Sequence, residues 1–207
     1  QALERQYKNL SISKETYQNI EALRQENTFT ITTGHQLSLF TGPLYFIYKI
    51  VTTIVSCQQL KKLYPQYNFV PIYWMATEDH DFEEINHFSF RGQKLSWHAE
   101  QSGMVGNFST EGLERISHIL KVLLGKSHQG QYLASLFERA YEQHKTLASA
   151  TRYLVNELFT PYGLVIIDGN DKSLKELLVP YFKRELLENT SHKEVEKTLA
   201  YIKSVNK

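Results

Sequence analysis

The sequence predicts an α/β protein built on a parallel sheet, with a mostly helical insertion between the second and third strong strands. Three observations carry that prediction. Runs of β-branched, aromatic and aliphatic residues recur at 28–33 (TFTITT), 68–75 (NFVPIYWM) and 164–167 (LVII). Helical patterns separate them, as parallel crossovers require. Each run also ends in a polar cluster, at 34–36, 78–81 and 168–171.

Residues 1–26 are rich in Gln, Glu, Lys and Tyr and predict one or two helices. The strand at 28–33 closes on Gly34. Pro43 then suits the first turn of a helix, where its missing N–H costs nothing. That helix runs to about residue 63. Its apolar positions are Leu44, Ile47, Ile50, Val51, Ile54 and Val55, and its polar stripe is Tyr45, Lys49, Thr52, Ser56 and Gln59. The pattern predicts a helix that buries most of its surface. The strand at 68–75 is nearly continuously apolar, as in a sheet covered on both faces. Residues 85–95 fit either a further strand or a loop. Apolar spacing predicts helices across 111–158. A helix from about residue 172 is expected to kink at Pro180. The last helix is expected to start on a capping box, Ser191 with Glu194. The predicted organisation is 1–94 for the first part of the sheet domain, 95–155 for the insertion and 156–207 for its continuation.

Composition sets limits on function. The chain has 207 residues, a net charge of +1 and one cysteine, Cys57. The charge makes no general case for nucleic acid or for an anionic membrane. One cysteine excludes a disulfide framework, and a reducing cytoplasm is the expected location. The longest apolar stretch, 44–55, contains Lys49 and two threonines and is too short to span a bilayer. The chain starts without Met and stops inside a charged amphipathic pattern, so it is expected to be a segment of a longer protein.

Ligands of parallel α/β folds sit beyond the carboxyl ends of the strands, where all three polar clusters lie. In the first, Gly34 permits unusual backbone angles and Gly42 permits close approach of a ligand. Free N–H groups at the following helix start would favour an anion, with His35 and Gln36 adding donors. The alternative is a capped, tight strand–helix turn. Lys49 is the one Asp, Glu, Lys or Arg between Glu26 and Lys61. It either snorkels to water or reaches toward a ligand. The second cluster sets Glu78, Asp79, Asp81, Glu83 and Glu84 around His80. Such crowding of carboxylates suggests a magnesium site, a site for an amine or ribose, or a general base. Acids are also common in a solvated first turn, and Glu83 and Glu84 fit that reading. No spacing matches a zinc ligand set. Asp168 suits either a ribose or ammonium contact or a plain turn.

Three blocks, TTGHQLSLFTGPLYFIYKIVTTI, VPIYWMATEDHDFEEINH and LFTPYGLVIIDGNDKSLKELLVPYF, resemble the BshC family, the cysteine ligases of bacillithiol biosynthesis. The likeness covers roughly 28–90 and 155–188. It implies a Rossmann-like core similar to class I aminoacyl-tRNA synthetases. It also implies a ligase that joins cysteine to the amine of glucosaminyl malate, with ATP activating the carboxylate and magnesium as the accompanying cation, in a homodimer of the full-length protein. On that basis Thr33, Gly34, His35, Gln36, Thr41, Gly42, Pro43, Tyr45, Lys49 and Asp168 are expected to bind substrate or nucleotide. Glu78, Asp79, His80 and Asp81 are expected to carry the chemistry. The family commonly has TGQQ where this chain has Thr33-Gly34-His35-Gln36. A metal-dependent hydrolase built on the acidic cluster and a non-catalytic nucleotide-binding module are the alternatives.

Overall fold

A computed structural model describes residues 1–8 and 10–205. The chain divides into two units, Gln1–Asn170 and Asp171–Lys207. The first holds helices α1 (Ala2–Tyr7) and α2 (Lys14–Ala22), strand β1 (Thr28–His35), helix α3 (Tyr45–Leu63), strand β2 (Asn68–Met75) and a short helix α4 (Phe82–Ile85). A hairpin of β3 (His87–Phe90) and β4 (Gln93–Ser96) follows, then helices α5 (Leu113–Leu124), α6 (His128–Glu142) and α7 (Leu147–Phe159), and strand β5 (Val165–Asp168). The second unit comprises helices α8 (Lys172–Glu188) and α9 (Thr190–Val205).

The parallel sheet has the order β1-β2-β5. Its register runs from Thr28 opposite Asn68 to His35 opposite Met75, and Met75 in turn faces Asp168. The carboxyl ends of all three strands therefore finish in one row. β2 is central, and Val70, Ile72, Tyr73 and Met75 are buried on both of its faces. The predicted α/β parallel sheet with helices between its strands is what the chain forms.

The outer edge of β5 pairs with no strand among the described residues. Its backbone groups are met by side chains instead. Ile166 N–H donates to Tyr7 Oη at 2.6 Å, Arg152 Nη1 donates to Ile166 O at 3.2 Å, and Asp168 N–H donates to Gln6 Oε1 at 3.0 Å. Arg152 is only 7% exposed, and its guanidinium lies 5.5 Å from the Tyr7 ring centre.

Several local expectations change. The buried face of α3 is Phe46, Ile50, Thr53, Ile54 and Cys57. Leu44, Val51 and Val55 are 63%, 41% and 40% exposed, so α3 does not bury most of its surface. The helix lies on β1 and β2, and a support that narrow covers one face only. Its uncovered side borders an apolar groove of about 440 Å³ with Leu158, Phe159 and Tyr162. Gly34 sits in extended strand and needs no special angle, whereas Gly42 has φ +51° and a Cβ there would meet Ser38. Within the stretch 85–95, Ile85 ends α4 and the rest falls in the hairpin, turned by Arg91 and Gly92 at φ +50° and +78°, a pair of left-handed residues that suits strand twist. Helix α8 runs without a break through Pro180. The expected capping box at Ser191 and Glu194 is absent, because α9 begins at Thr190 directly after Asn189 closes α8 in the left-handed region. The capping box among the described residues is at α7, between Thr146 and Ser149.

The loop after β1 is anchored by the helical insertion. Phe40 and Thr41 have φ of +51° and +71°, a disfavoured region for an aromatic and a β-branched residue. Phe40 is buried against Phe88, Phe137 and Tyr141, and its N–H donates to Tyr141 Oη at 2.9 Å. Tyr141→Phe strands that buried N–H, and urea denaturation is expected to show a loss of about 1–3 kcal/mol. A loss below about 0.5 kcal/mol would contradict the anchoring role. Burial also pushes the Cys57 thiol up to about 11. A thiol reagent at neutral pH is expected to modify Cys57 only as the protein unfolds in urea.

Candidate active site

The row of strand ends gathers most of the candidate residues. Gln36 follows β1 and bridges two carboxylates through Nε2, donating to Asp79 Oδ2 at 2.9 Å and Glu84 Oε2 at 2.8 Å. Asp79 Oδ1 accepts the backbone N–H groups of His80 (2.7 Å) and Asp81 (3.1 Å). The Gln36 hydrogen bond, followed by those N–H groups, holds the Asp79 carboxyl below the usual range. The side chains of His80 and Asp81 are exposed, so these residues shape the loop through their backbone. Glu84, which sequence reasoning placed in a solvated helix turn, belongs to the Gln36 cluster.

His35 is 7% exposed and packs between Tyr45 and Phe46, with ring centres 5.0 and 4.9 Å away. Its Nδ1 lies 2.9 Å from Gln36 O. A carbonyl only accepts, so Nδ1 carries the proton and Nε2 presents a lone pair. Burial, with Lys49 as a further cause, lowers the imidazole pKa and keeps the ring neutral. Nε2 is buried and has no partner. His35 thus offers an acceptor, where the sequence suggested a donor for an anion. Lys49 donates to Gly34 O, at the end of β1, and lies 5.8 Å from the Tyr45 ring centre. Gly34, His35, Gln36, Tyr45, Lys49 and Ala76 line a cavity of about 290 Å³. Thr33, Thr41, Gly42 and Pro43 do not line it; the last three form the strained turn that leads into α3.

Glu78 supplies a second acceptor without a donor. Trp74 Nε1 donates to its Oε1 at 3.4 Å, while Oε2 is buried and unpaired. Gly169 makes room for this carboxylate, because a Cβ there would collide with it. Thr77, 1% exposed, donates to Asp168 Oδ1, which also accepts Asn170 N–H at 2.9 Å. Asp168 is thereby turned toward the β2–β5 side of the row, away from the His35 cavity. Residues 104–107 cross over the acidic loop: Val105 N–H donates to Asp79 O, Gly106 N–H donates to Thr77 O, and a Cβ on Gly106 would strike Thr77. Thr77, Trp74 and Gly106 escaped the sequence reading, and Gly169 was read only as part of the polar cluster at 168–171. A glycine directly after an acid at a strand end was the available signal for the last.

Among the described residues, no three of His, Cys, Asp and Glu stand close enough to hold a metal ion. Magnesium commonly takes one or two carboxylates and completes its shell with phosphates and water. Asp79 and Glu84 are the pair that fits such a partial site. No helix among the described residues is long and apolar enough to cross a membrane.

A parallel three-stranded sheet with polar loops gathered at its carboxyl edge is a Rossmann-like ligand-binding arrangement. The family profile described as "Bacillithiol biosynthesis BshC, N-terminal Rossmann-like domain" matches residues 1–207, and the chain belongs to that family. Proteins named "Putative cysteine ligase BshC" are similar throughout. The one from Flavobacterium psychrophilum is 56% identical over 98% of this chain and 38% of its own length. The one from Flavobacterium johnsoniae is 56% identical over 97% of this chain and 38% of its own length. The one from Christiangramia forsetii is 49% identical over 99% of this chain and 39% of its own length. The chain thus spans under two fifths of these relatives.

The His35 environment predicts a pH effect on stability. The folded pKa lies below the unfolded value of about 6.5, so as pH falls the unfolded chain takes up its proton first. Stability is expected to drop from about pH 6.5 down to the lower folded pKa and then to level off. His35→Gln is expected to remove that loss in urea titrations between about pH 7 and pH 5. Asp79, with a lowered carboxyl pKa, loses its contribution only in the more acidic window below about 3.9.

Proposed function

We propose that this chain forms the substrate-binding part of a cysteine ligase of bacillithiol biosynthesis. The enzyme would join the cysteine carboxyl group to the amine of glucosaminyl malate at the expense of ATP. Family membership supports the ligase class. The observation that carries the substrate reading is the surplus of acceptors at the sheet edge. His35 Nε2 and Glu78 Oε2 are buried lone pairs without donors, and Asp79 and Glu84 share one amide.

Buried acceptors of this kind call for N–H or O–H groups from a ligand. An amine meets that demand, and both substrates carry one. In this reading His35 and Glu78 receive amine protons by hydrogen bonding, and Gln36 holds the Asp79–Glu84 pair for magnesium and phosphate. Lys49 and Tyr45 close the cavity beside the phosphates. Activation of the carboxylate through an adenylate parallels the class I synthetases. Asp168 takes no part in the His35 cavity. Among the described residues no three metal-ligating side chains converge in the acidic loop, which weighs against the metal-dependent hydrolase reading.

The test uses the full-length protein with cysteine, ATP, magnesium and glucosaminyl malate, following bacillithiol by mass together with AMP and ADP. ATP-dependent product is expected, with AMP marking the adenylate route. His35→Ala and Glu78→Gln are each expected to lower kcat/KM about ten- to a hundredfold, the worth of one or two hydrogen bonds to a charged amine. Well-folded protein that forms no product, or variants as active as the parent, would overturn the assignment.

A further inference from the structure

A second polar cavity, of about 360 Å³, lies on the far side of Asp168 and is lined by Gln6, Leu10, His144, Thr146, Ala148, Ser149, Arg152 and Asp168. β2 lies between β1 and β5, so His35 and Asp168 stand about 10 Å apart along the row, and the two cavities share no lining residue.

The free hydrogen-bonding capacity of this cavity is specific. Gln6 Oε1 accepts from Arg152 Nη2 at 2.6 Å and from Asp168 N–H, yet Gln6 Nε2 is buried with no acceptor. Asp168 Oδ1 is taken by Thr77 and Asn170, and Oδ2 has no donor among the described residues. His144 Nδ1 faces the carbonyls of Arg139 and Ala140, both at 3.1 Å, so it carries the proton and Nε2 presents a lone pair. Thr146 and Ser149 spend their hydroxyls on each other in the capping box. Arg152 is engaged by Ile166 O and Gln6 Oε1. The Gln6 amide donor, the Asp168 carboxylate oxygen and the His144 imidazole acceptor are thus on offer beside the aliphatic surfaces of Leu10 and Ala148.

We infer that this cavity binds a sugar ring through a pair of neighbouring hydroxyls. Hydroxyls donate to Asp168 and His144 while accepting from Gln6, and the C–H face of a ring covers Leu10 and Ala148. An anion is disfavoured by the Asp168 carboxylate. The ring could come from a nucleoside or a hexose.

Ligand-observed saturation-transfer NMR on the full-length protein separates these sources, using adenosine, methyl α-D-glucopyranoside and glucosamine as probes. A saturable signal is expected from adenosine if the ring is a ribose, and from the hexoses otherwise. Gln6→Leu is expected to weaken binding about tenfold, the effect of one hydrogen bond to a buried amide. Ala148→Leu, which fills the cavity and removes no hydrogen bond, is expected to abolish it. His35→Ala, in the other cavity, is expected to leave it unchanged. Three silent probes, or a signal that survives Ala148→Leu, would overturn the inference. So would a signal lost in His35→Ala. None of those results bears on the ligase assay, which reads the His35 cavity.

Discussion

Parallel pairing of β1, β2 and β5 is the constraint from which the rest follows. Parallel neighbours cannot be joined by a tight turn, so each connection must run back along the sheet. α3 makes the first return, and the hairpin and α5–α7 occupy the second. The same pairing sends every strand in one direction. The register then brings His35, Met75 and Asp168 level. Polar loops that are remote in sequence meet at that edge because the hydrogen-bond ladders leave them nowhere else to go.

The character of that edge comes from how its polar groups consume one another. Gln36 spends its amide on two carboxylates, and Lys49 spends its ammonium on a strand-end carbonyl. Positive and donor groups are thus quenched internally, while His35 Nε2 and Glu78 Oε2 keep their lone pairs. A residue list at the same positions suggests an anion cradle. The geometry makes it a receptor for donors.

The strands and their terminal clusters were legible in the sequence because central parallel strands are nearly uniformly apolar and end abruptly in Gly, His and acids. The buried face of α3 was not. Leu44, Val51 and Val55 have the residue types of a core, and only the narrow sheet beneath decides that they stay outside. The direction of the His35 proton was hidden too, since it is fixed by a backbone carbonyl one residue on. Least legible were Gln6, Tyr7 and Arg152. They act on β5 from helices that flank the sheet, and no local pattern announces a partner about 150 residues away in the chain.

The side-chain covering of the β5 edge gives the sheet a polarity of growth. An incoming strand on that side would have to displace the Tyr7 hydroxyl, the Gln6 amide and a buried guanidinium, and would strand each of them away from water. β1 is covered more lightly: Lys49 meets the Gly34 carbonyl at its end, and Phe29 on it is 51% exposed. The β1 side is therefore the more open of the two edges to a further strand. Intermolecular strand pairing would meet less resistance on that same side.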